Sequence, residues 1–169
     1  MIYLNIGSNL KSIYGNRFKN IIFSIKLLKK YNIKIKKISS FYETPSYPNK
    51  KNPKFINISI KIQSDLNPLE LLKVLKSIEK KIGRSKDKRN RPRVCDIDII
   101  DFKKLKINKT NIQLPHPRLH LRNFVLFPLK EIEPKWTHPK SNKKIDVLVN
   151  ELNSTLCMEI TRLKKNVTI

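Results

Sequence analysis

Phe55-Ile56-Asn57-Ile58-Ser59-Ile60-Lys61-Ile62, followed after a short break by Asn67-Pro68-Leu69-Glu70-Leu71-Leu72, is the stretch from which the fold can be read. In the first run Ile56, Ile58, Ile60 and Ile62 fall on one face and Phe55, Asn57, Ser59 and Lys61 on the other, the period of a strand with one buried side. The second run opens a helix whose two ends are both marked. Asn67 can cap it, Pro68 takes its first position, Glu70 lies three residues after the cap, and Gly83 stops it. Leu71, Leu72, Leu75, Ile78 and Ile82 form its apolar stripe. Glu79 and Lys76 fall off that stripe and are expected to face outward.

Upstream, Ile2, Leu4 and Ile6 alternate with Tyr3 and Asn5 as a strand closed by the turn triplet Gly7-Ser8-Asn9. Phe18, Ile21, Ile22, Ile25 and Leu28 recur at helical spacing from Asn16 to Lys30. Ile33 to Tyr42 reads as a second strand, and Pro45 to Pro53, with three prolines, as a surface loop long enough to suggest a function. Downstream, an arginine-rich loop from Arg84 to Arg93 leads into Val94 to Phe102, a strand by its Val, Ile and Phe content. Strand, helix, strand, strand, helix, strand is the ferredoxin-like βαββαβ order. It defines an α+β domain: an antiparallel sheet with its helices packed on one face. Beyond it, Leu114 to Pro117 is extended, a short helix is expected within Leu119 to Lys130, and another near Ile145 to Asn153. Residues 1–169 read as a single domain, with 154–169 unassigned.

The chain has 169 residues, 39% of them hydrophobic, and 37 basic against 13 acidic groups give a net charge of +24. That apolar fraction excludes a disordered polyelectrolyte. No apolar run is long enough to span a membrane, and Met1 leads into a strand without a basic leader region, so a cytoplasmic protein is expected. Cys95 and Cys157 lie outside any paired spacing, which excludes a disulfide framework. The charge invites a nucleic-acid-binding reading. Composition weakens it: alanine is absent, 24 residues are isoleucine, and 29 of the basic residues are lysine, the profile of a chain with Lys as its default surface residue. The arginines are then informative. Arg84, Arg89, Arg91 and Arg93 crowd into one loop, and an arginine holds phosphate bidentately where lysine cannot.

Three of the six aspartates follow at once, in Cys95-Asp96-Ile97-Asp98-Ile99-Ile100-Asp101. Period 2 puts Asp96 and Asp98 on one face of the strand and sends Asp101 to the other. Neighbouring carboxylates repel unless a cation stands between them, and Mg²⁺ suits, since it takes one or two carboxylates and completes its shell with water and phosphate oxygens. An isolated D-x-D would be read as a solvated polar face. Basic residues Arg84, Lys86, Lys88, Arg89, Arg91 and Arg93 immediately before it point instead to phosphoryl-type transfer, in which positioning and charge neutralisation dominate.

Gly7-Ser8-Asn9-Leu10, Ser39 to Pro45, Phe55-Ile56-Asn57, Arg93 to Ile99, Pro115-His116 and Arg122-Asn123-Phe124 with Pro128-Leu129 resemble, in order and spacing, the 6-hydroxymethyl-7,8-dihydropterin pyrophosphokinases of folate biosynthesis. The resemblance runs from about residue 2 to 134. It implies transfer of pyrophosphate from ATP to the pterin hydroxymethyl group, with two Mg²⁺ ions and AMP as the other product. Carried over by position, it makes Asp96 and Asp98 the metal-binding pair, with Asp96 also beside the pterin, and Arg84 and Arg93 the arginines that steady the transferred group. It assigns Thr44, Pro45, Tyr47, Phe55, Asn57 and Phe124 to the pterin. To ATP it assigns Glu79, Arg84, Lys86, Arg93, Ile99, His116 and Arg122. Phe55 and Phe124 can sandwich a flat heterocycle, and the Asn57 amide offers it both a donor and an acceptor.

The resemblance further implies small-molecule partners only, without nucleic acid or membrane, and a monomer. The sequence departs from the pattern in an arginine loop one residue short, with Asn90 or Arg91 where a tryptophan is usual, and in lysines within the Pro45 to Pro53 loop. His120 and His138 have no match and are expected at the surface. Cys95 is expected to be a small buried residue.

Overall fold

The computed structural model describes residues 1–84, 91–165 and 167. Its centre is an antiparallel sheet built from β1 (Ile2–Ser8), β4 (Phe55–Gln63) and β5 (Asp96–Phe102), with β1 in the middle. The outer edge of β4 is shared by two short strands, β2 (Lys34–Ile38) and β3 (Tyr42–Thr44). Ile33 to Tyr42 is therefore not one strand. At the break, Ser39 bonds the backbone of Ser59 both ways, its N–H donating to the carbonyl and its Oγ accepting the amide, each at 3.0 Å.

α1 (Arg17–Lys30) and α2 (Pro68–Ile82) cover one face of the sheet. Ile56, Ile58, Ile60 and Ile62 are fully buried beneath them, each stabilising the fold by about 1.5–3 kcal/mol. α2 begins and ends as its sequence dictates. The Asn67 side chain accepts from the Leu69 and Glu70 amides, Glu70 reaches back to the Asn67 amide, and Gly83 ends the helix at φ 103°. Such a left-handed residue is strained for any side chain, hence glycine.

Helices are not confined to that face. The hairpin of β6 (Ile107–Lys109) and β7 (Ile112–Leu114) and a 3₁₀ turn (Leu119–Leu121) lead to α3 (Asn123–Ile132), which crosses the opposite face. There α3 and α4 (Ile145–Asn150) make a second core with Tyr3, Ile100 and Trp136. The segment after Asn153 is also placed: α5 (Ser154–Met158) runs into β8 (Thr161–Arg162), which pairs with β3 and extends the sheet.

β5 carries one extra residue. Tyr3 pairs with Asp101 and Leu4 with Ile99, so Ile100 is a bulge. Parity breaks there, and Asp101 ends on the same face as Asp96 and Asp98 rather than the opposite one. It is fully buried, accepting from Trp136 Nε1 at 2.8 Å and the Lys104 amide at 2.9 Å. His138 is buried rather than superficial, its Nδ1 accepting the Lys140 and Ser141 amides at 3.1 Å each, whereas His120 is exposed. Cys95 is buried in the helix-side core, where desolvation pushes its thiol pKa up. No helix among the described residues is long and apolar enough to cross a membrane.

Candidate active site

On the face opposite α1 and α2, the register sets residues in rows across the strands. One row runs Tyr42, Asn57, Gly7, Asp96; the next holds Ser59, Asn5 and Asp98. With strands about 4.8 Å apart, Asn57 and Asp96 stand roughly 9–10 Å from each other with only Gly7 between. A Cβ on Gly7 would lie 2.8 Å from Asn57 Oδ1, so this close approach requires glycine. The missing side chain leaves the floor of a cavity of about 740 Å³ open across the row.

At one end of the cavity are Phe55, Asn57, Thr44, Pro45, Tyr47 and Phe124. Thr44 is buried opposite Phe55, and its Oγ1 accepts from Asn57 Nδ2 at 3.3 Å, fixing the amide. Phe124 enters from the start of α3, with the Arg122 guanidinium 5.3 Å from its ring centroid. Tyr47 is 81% exposed at the rim. The six residues assigned to the pterin by resemblance thus line one space.

The other end is charged. Asp96 accepts from Arg84 Nη1 at 2.6 Å and from Arg93 Nη1 at 3.2 Å. Asp98 faces Arg122 Nη1 at 3.3 Å and His116 Nε2 at 3.8 Å. Its carboxyl is pushed up to about 6, first by loss of surrounding water and then by the Asp96 charge, with Arg122 pulling the other way. His116 is lowered to about 4 by burial and by Arg122 and Arg118, so the ring is neutral. Its Nδ1 accepts the Arg118 amide at 3.2 Å, and its Nε2 stands 3.3 Å from Arg122 Nη1. Burial works to lower the Arg84 pKa, but Asp96 and Glu79 outweigh it and raise it.

Glu79 does not face outward. It is 2% exposed, with Oε1 accepting the Ile97 amide at 2.7 Å and pairing with Arg84 at 2.6 Å, while Lys76 Nζ lies 3.0 Å from both oxygens. Its spacing held the signal: Glu79 lies four residues after Leu75 and three before Ile82, on the edge of the buried stripe. The Ile99 side chain packs in the helix-side core, yet it also lines a second cavity of about 600 Å³ between α2, β5 and the β6–β7 turn. Lys76, Asp98 and His116 line both cavities and so stand where they adjoin. Lys86 and Asn90 lie outside the described residues, whereas Arg91 is exposed, lines the first cavity and accepts from Arg93 Nε at 3.1 Å through its carbonyl.

Asn9 organises this end. It is buried, Oδ1 accepts the Arg93 amide at 2.6 Å, and its own amide N–H donates to Arg93 O at 3.1 Å. Its Nδ2 donates to Ser46 Oγ and to Pro53 O, each at 3.1 Å. One side chain thereby ties the end of the arginine loop to both ends of the Pro45 to Pro53 loop.

The residues fit a magnesium site. Asp96 and Asp98 line one cavity as neighbouring carboxylates, and burial together with the Asp96 charge pushes the Asp98 carboxyl up. That suits an ion that completes its shell with water and phosphate.

The ferredoxin-like sheet thus carries paired carboxylates and converging arginines beside an aromatic slot. Residues 3–134 match the family model for 7,8-dihydro-6-hydroxymethylpterin-pyrophosphokinase. The chain belongs to that family. It is 36% identical over 144 residues to 2-amino-4-hydroxy-6-hydroxymethyldihydropteridine pyrophosphokinase of Aquifex aeolicus, covering 85% of this chain and 87% of that protein. It is 41% identical over 139 residues to a folic acid synthesis protein of Dictyostelium discoideum, covering 82% of this chain but 20% of that one, so it spans about a fifth of this longer relative. Among solved structures, an HPPK-DHPS of Plasmodium falciparum superposes with a TM-score of 0.73 at 18% identity, covering 95% of this chain and 46% of that one, a likeness of fold.

Proposed function

We propose that this protein transfers the terminal pyrophosphate of ATP to the hydroxymethyl group of 6-hydroxymethyl-7,8-dihydropterin, releasing AMP and the pterin pyrophosphate on the route to folate. What carries the reading is the single row Asn57, Gly7, Asp96: a fixed amide lines one end of a cavity together with two aromatic rings, and a carboxylate held by two arginines lines the other. A pterin edge on Asn57 would direct its hydroxymethyl arm across Gly7 toward Asp96.

In this reading the bond from the pterin oxygen to the β-phosphorus forms as the β-phosphorus bond to the bridging oxygen of AMP breaks, and the hydroxyl proton is lost to the medium. Asp96 and Asp98 would hold Mg²⁺, which would supply charge neutralisation to the transferring group. Phe55, Phe124 and Asn57 bind and orient the pterin, aided by Thr44, Pro45 and Tyr47. Arg84 and Arg93, already inside the cavity, offer guanidinium forks to the transferring group, whose charge they meet without reorganising water. Neutral His116 and cationic Arg122 stand at the opening toward the second cavity, which suits the nucleoside end of ATP, with Ile99 on its wall and Glu79 holding Arg84 from behind. A nucleic-acid reading would leave Asp96 and Asp98 repelling a phosphate backbone at the centre of the basic cluster.

The test is AMP formation by the purified protein. AMP should appear only with ATP, the dihydropterin and Mg²⁺ together; a folded protein that makes none with intact substrates refutes the proposal.

A further inference from the structure

The family match ends at residue 134, yet the chain returns to the cavity after that point. Leu156, near the end of α5, and Glu159, just after it, line the same space as Phe55, Asn57 and Phe124. This stretch is held from three sides. Asn123 Nδ2 donates to Leu156 O at 2.6 Å, tying α5 to the first turn of α3, next to Phe124. β8 pairs with β3, the strand that carries Thr44, and Leu163 N donates to Phe41 O at 2.8 Å. Arg162 reaches Glu131 at 3.1 Å and Ser40 Oγ at 3.0 Å, while Glu131 also accepts from Tyr42 at 2.8 Å.

From this fixed base Glu159 pairs with Lys50, near the tip of the Pro45 to Pro53 loop. The two ends of that loop are already gathered by Asn9. Its tip is held to the body of the protein by Glu159, and Tyr47 and Lys50 both line the cavity.

We propose that the α5–β8 segment completes the pterin side of the site, Leu156 as an apolar wall and Glu159 as a positioning residue that holds the Pro45 to Pro53 loop over the substrate through Lys50. The inference rests on the pterin reading above and adds to it a wall that the family match does not include.

An exposed ion pair contributes little by itself, so charge reversal is the informative change. Binding of 6-hydroxymethylpterin to the full chain, with a non-hydrolysable ATP analogue and Mg²⁺ present, is titrated by fluorescence. Glu159→Lys and Lys50→Glu should each weaken pterin binding about 3- to 10-fold, the doubly reversed protein should recover most of the loss, and Glu159→Asp should bind almost normally. Nucleotide affinity should stay unchanged throughout. Unchanged pterin binding in both single reversals, or equal losses for pterin and nucleotide without recovery in the double, would overturn the proposal while the wild-type protein still binds pterin. A wild-type protein that does not bind pterin would overturn the functional reading, and this one with it.

Discussion

Asn9 and Arg93 exchange two hydrogen bonds, the Arg93 amide donating to Asn9 Oδ1 at 2.6 Å and the Asn9 amide to the Arg93 carbonyl at 3.1 Å. The same asparagine holds Ser46 and Pro53 with its other side-chain atom. Two loops from distant parts of the chain are therefore set by one buried amide. Asn9→Ala strips partners from several buried groups and should cost about 2–3 kcal/mol. Urea unfolding reads that loss. Because both loops are released together, the affinities for pterin and nucleotide should fall together, in contrast to the pterin-selective effects expected at Glu159.

Gly7 separates the two ends of the cavity. In Gly7→Ala the new methyl, 2.8 Å from Asn57 Oδ1, must displace the amide that Thr44 fixes. Pterin affinity should drop by about 10-fold, the scale of one lost hydrogen bond to the substrate edge, with nucleotide affinity nearly unchanged. Equal titration curves for wild type and variant would show that Asn57 does not read the pterin.

Asp96 is held by two arginines and stands where the transferring phosphate is expected. Asp96→Asn keeps the shape and removes the charge. Turnover should fall at least about 100-fold while the melting temperature stays within a few degrees, because the side chain is partly solvated. AMP formation and a thermal melt on the same preparation separate a lost reaction from a lost fold.

Glu133 joins α3 to the sheet: it accepts from Tyr3 at 2.9 Å and pairs with Lys61. The hydrogen bond from Lys61 is the main reason its carboxyl lies below the ordinary 4.5, with Tyr3 adding to the effect. A depressed carboxylate pKa stabilises the fold above the unfolded value, and that stability is lost as pH falls through the folded one. Glu133→Gln should therefore melt below wild type near neutral pH, and the gap should close as the pH falls below the ordinary 4.5. A gap of constant size below that value would mean that the charge is not what matters.

The parts of the fold legible in the sequence are those governed by local rules. The Asn67, Pro68, Glu70 and Gly83 signals sit where the helix starts and stops, and β4 alternates its two faces as read, but Asn57 and Ser59 are buried as well as the isoleucines because α3 crosses the second face. The paired carboxylates on one face of β5 could be read for the same reason. Glu79 was misplaced because a charged residue on the edge of an apolar stripe looks solvent-bound until its partners are known. Arg84 lies five residues along the chain, but the Ile97 amide arrives from β5, eighteen residues on. The split between β2 and β3 depends on Ser39 bonding to Ser59 across the sheet. α5 and β8 are short and weakly patterned, and only pairing with β3 and the Asn123 contact define their place.

The extra residue in β5 acts as a phase change. Before it, alternate side chains divide between a ligand cavity and the helix-side core; after it, the same alternation starts again one step late, so that Asp101 serves Trp136 and the second core. The strand therefore has two reading frames, one set by chemistry and one by packing. Its bulged carbonyl, on Ile100, accepts the His116 amide at 2.9 Å. The change of frame is thus also where the segment bearing His116 fastens to the strand of Asp96 and Asp98. A one-residue deletion at Ile100 would remove the irregularity, leave Asp101 on its present face as the residue next after Ile99, and cost an apolar side chain of the second core together with the carbonyl that fastens His116.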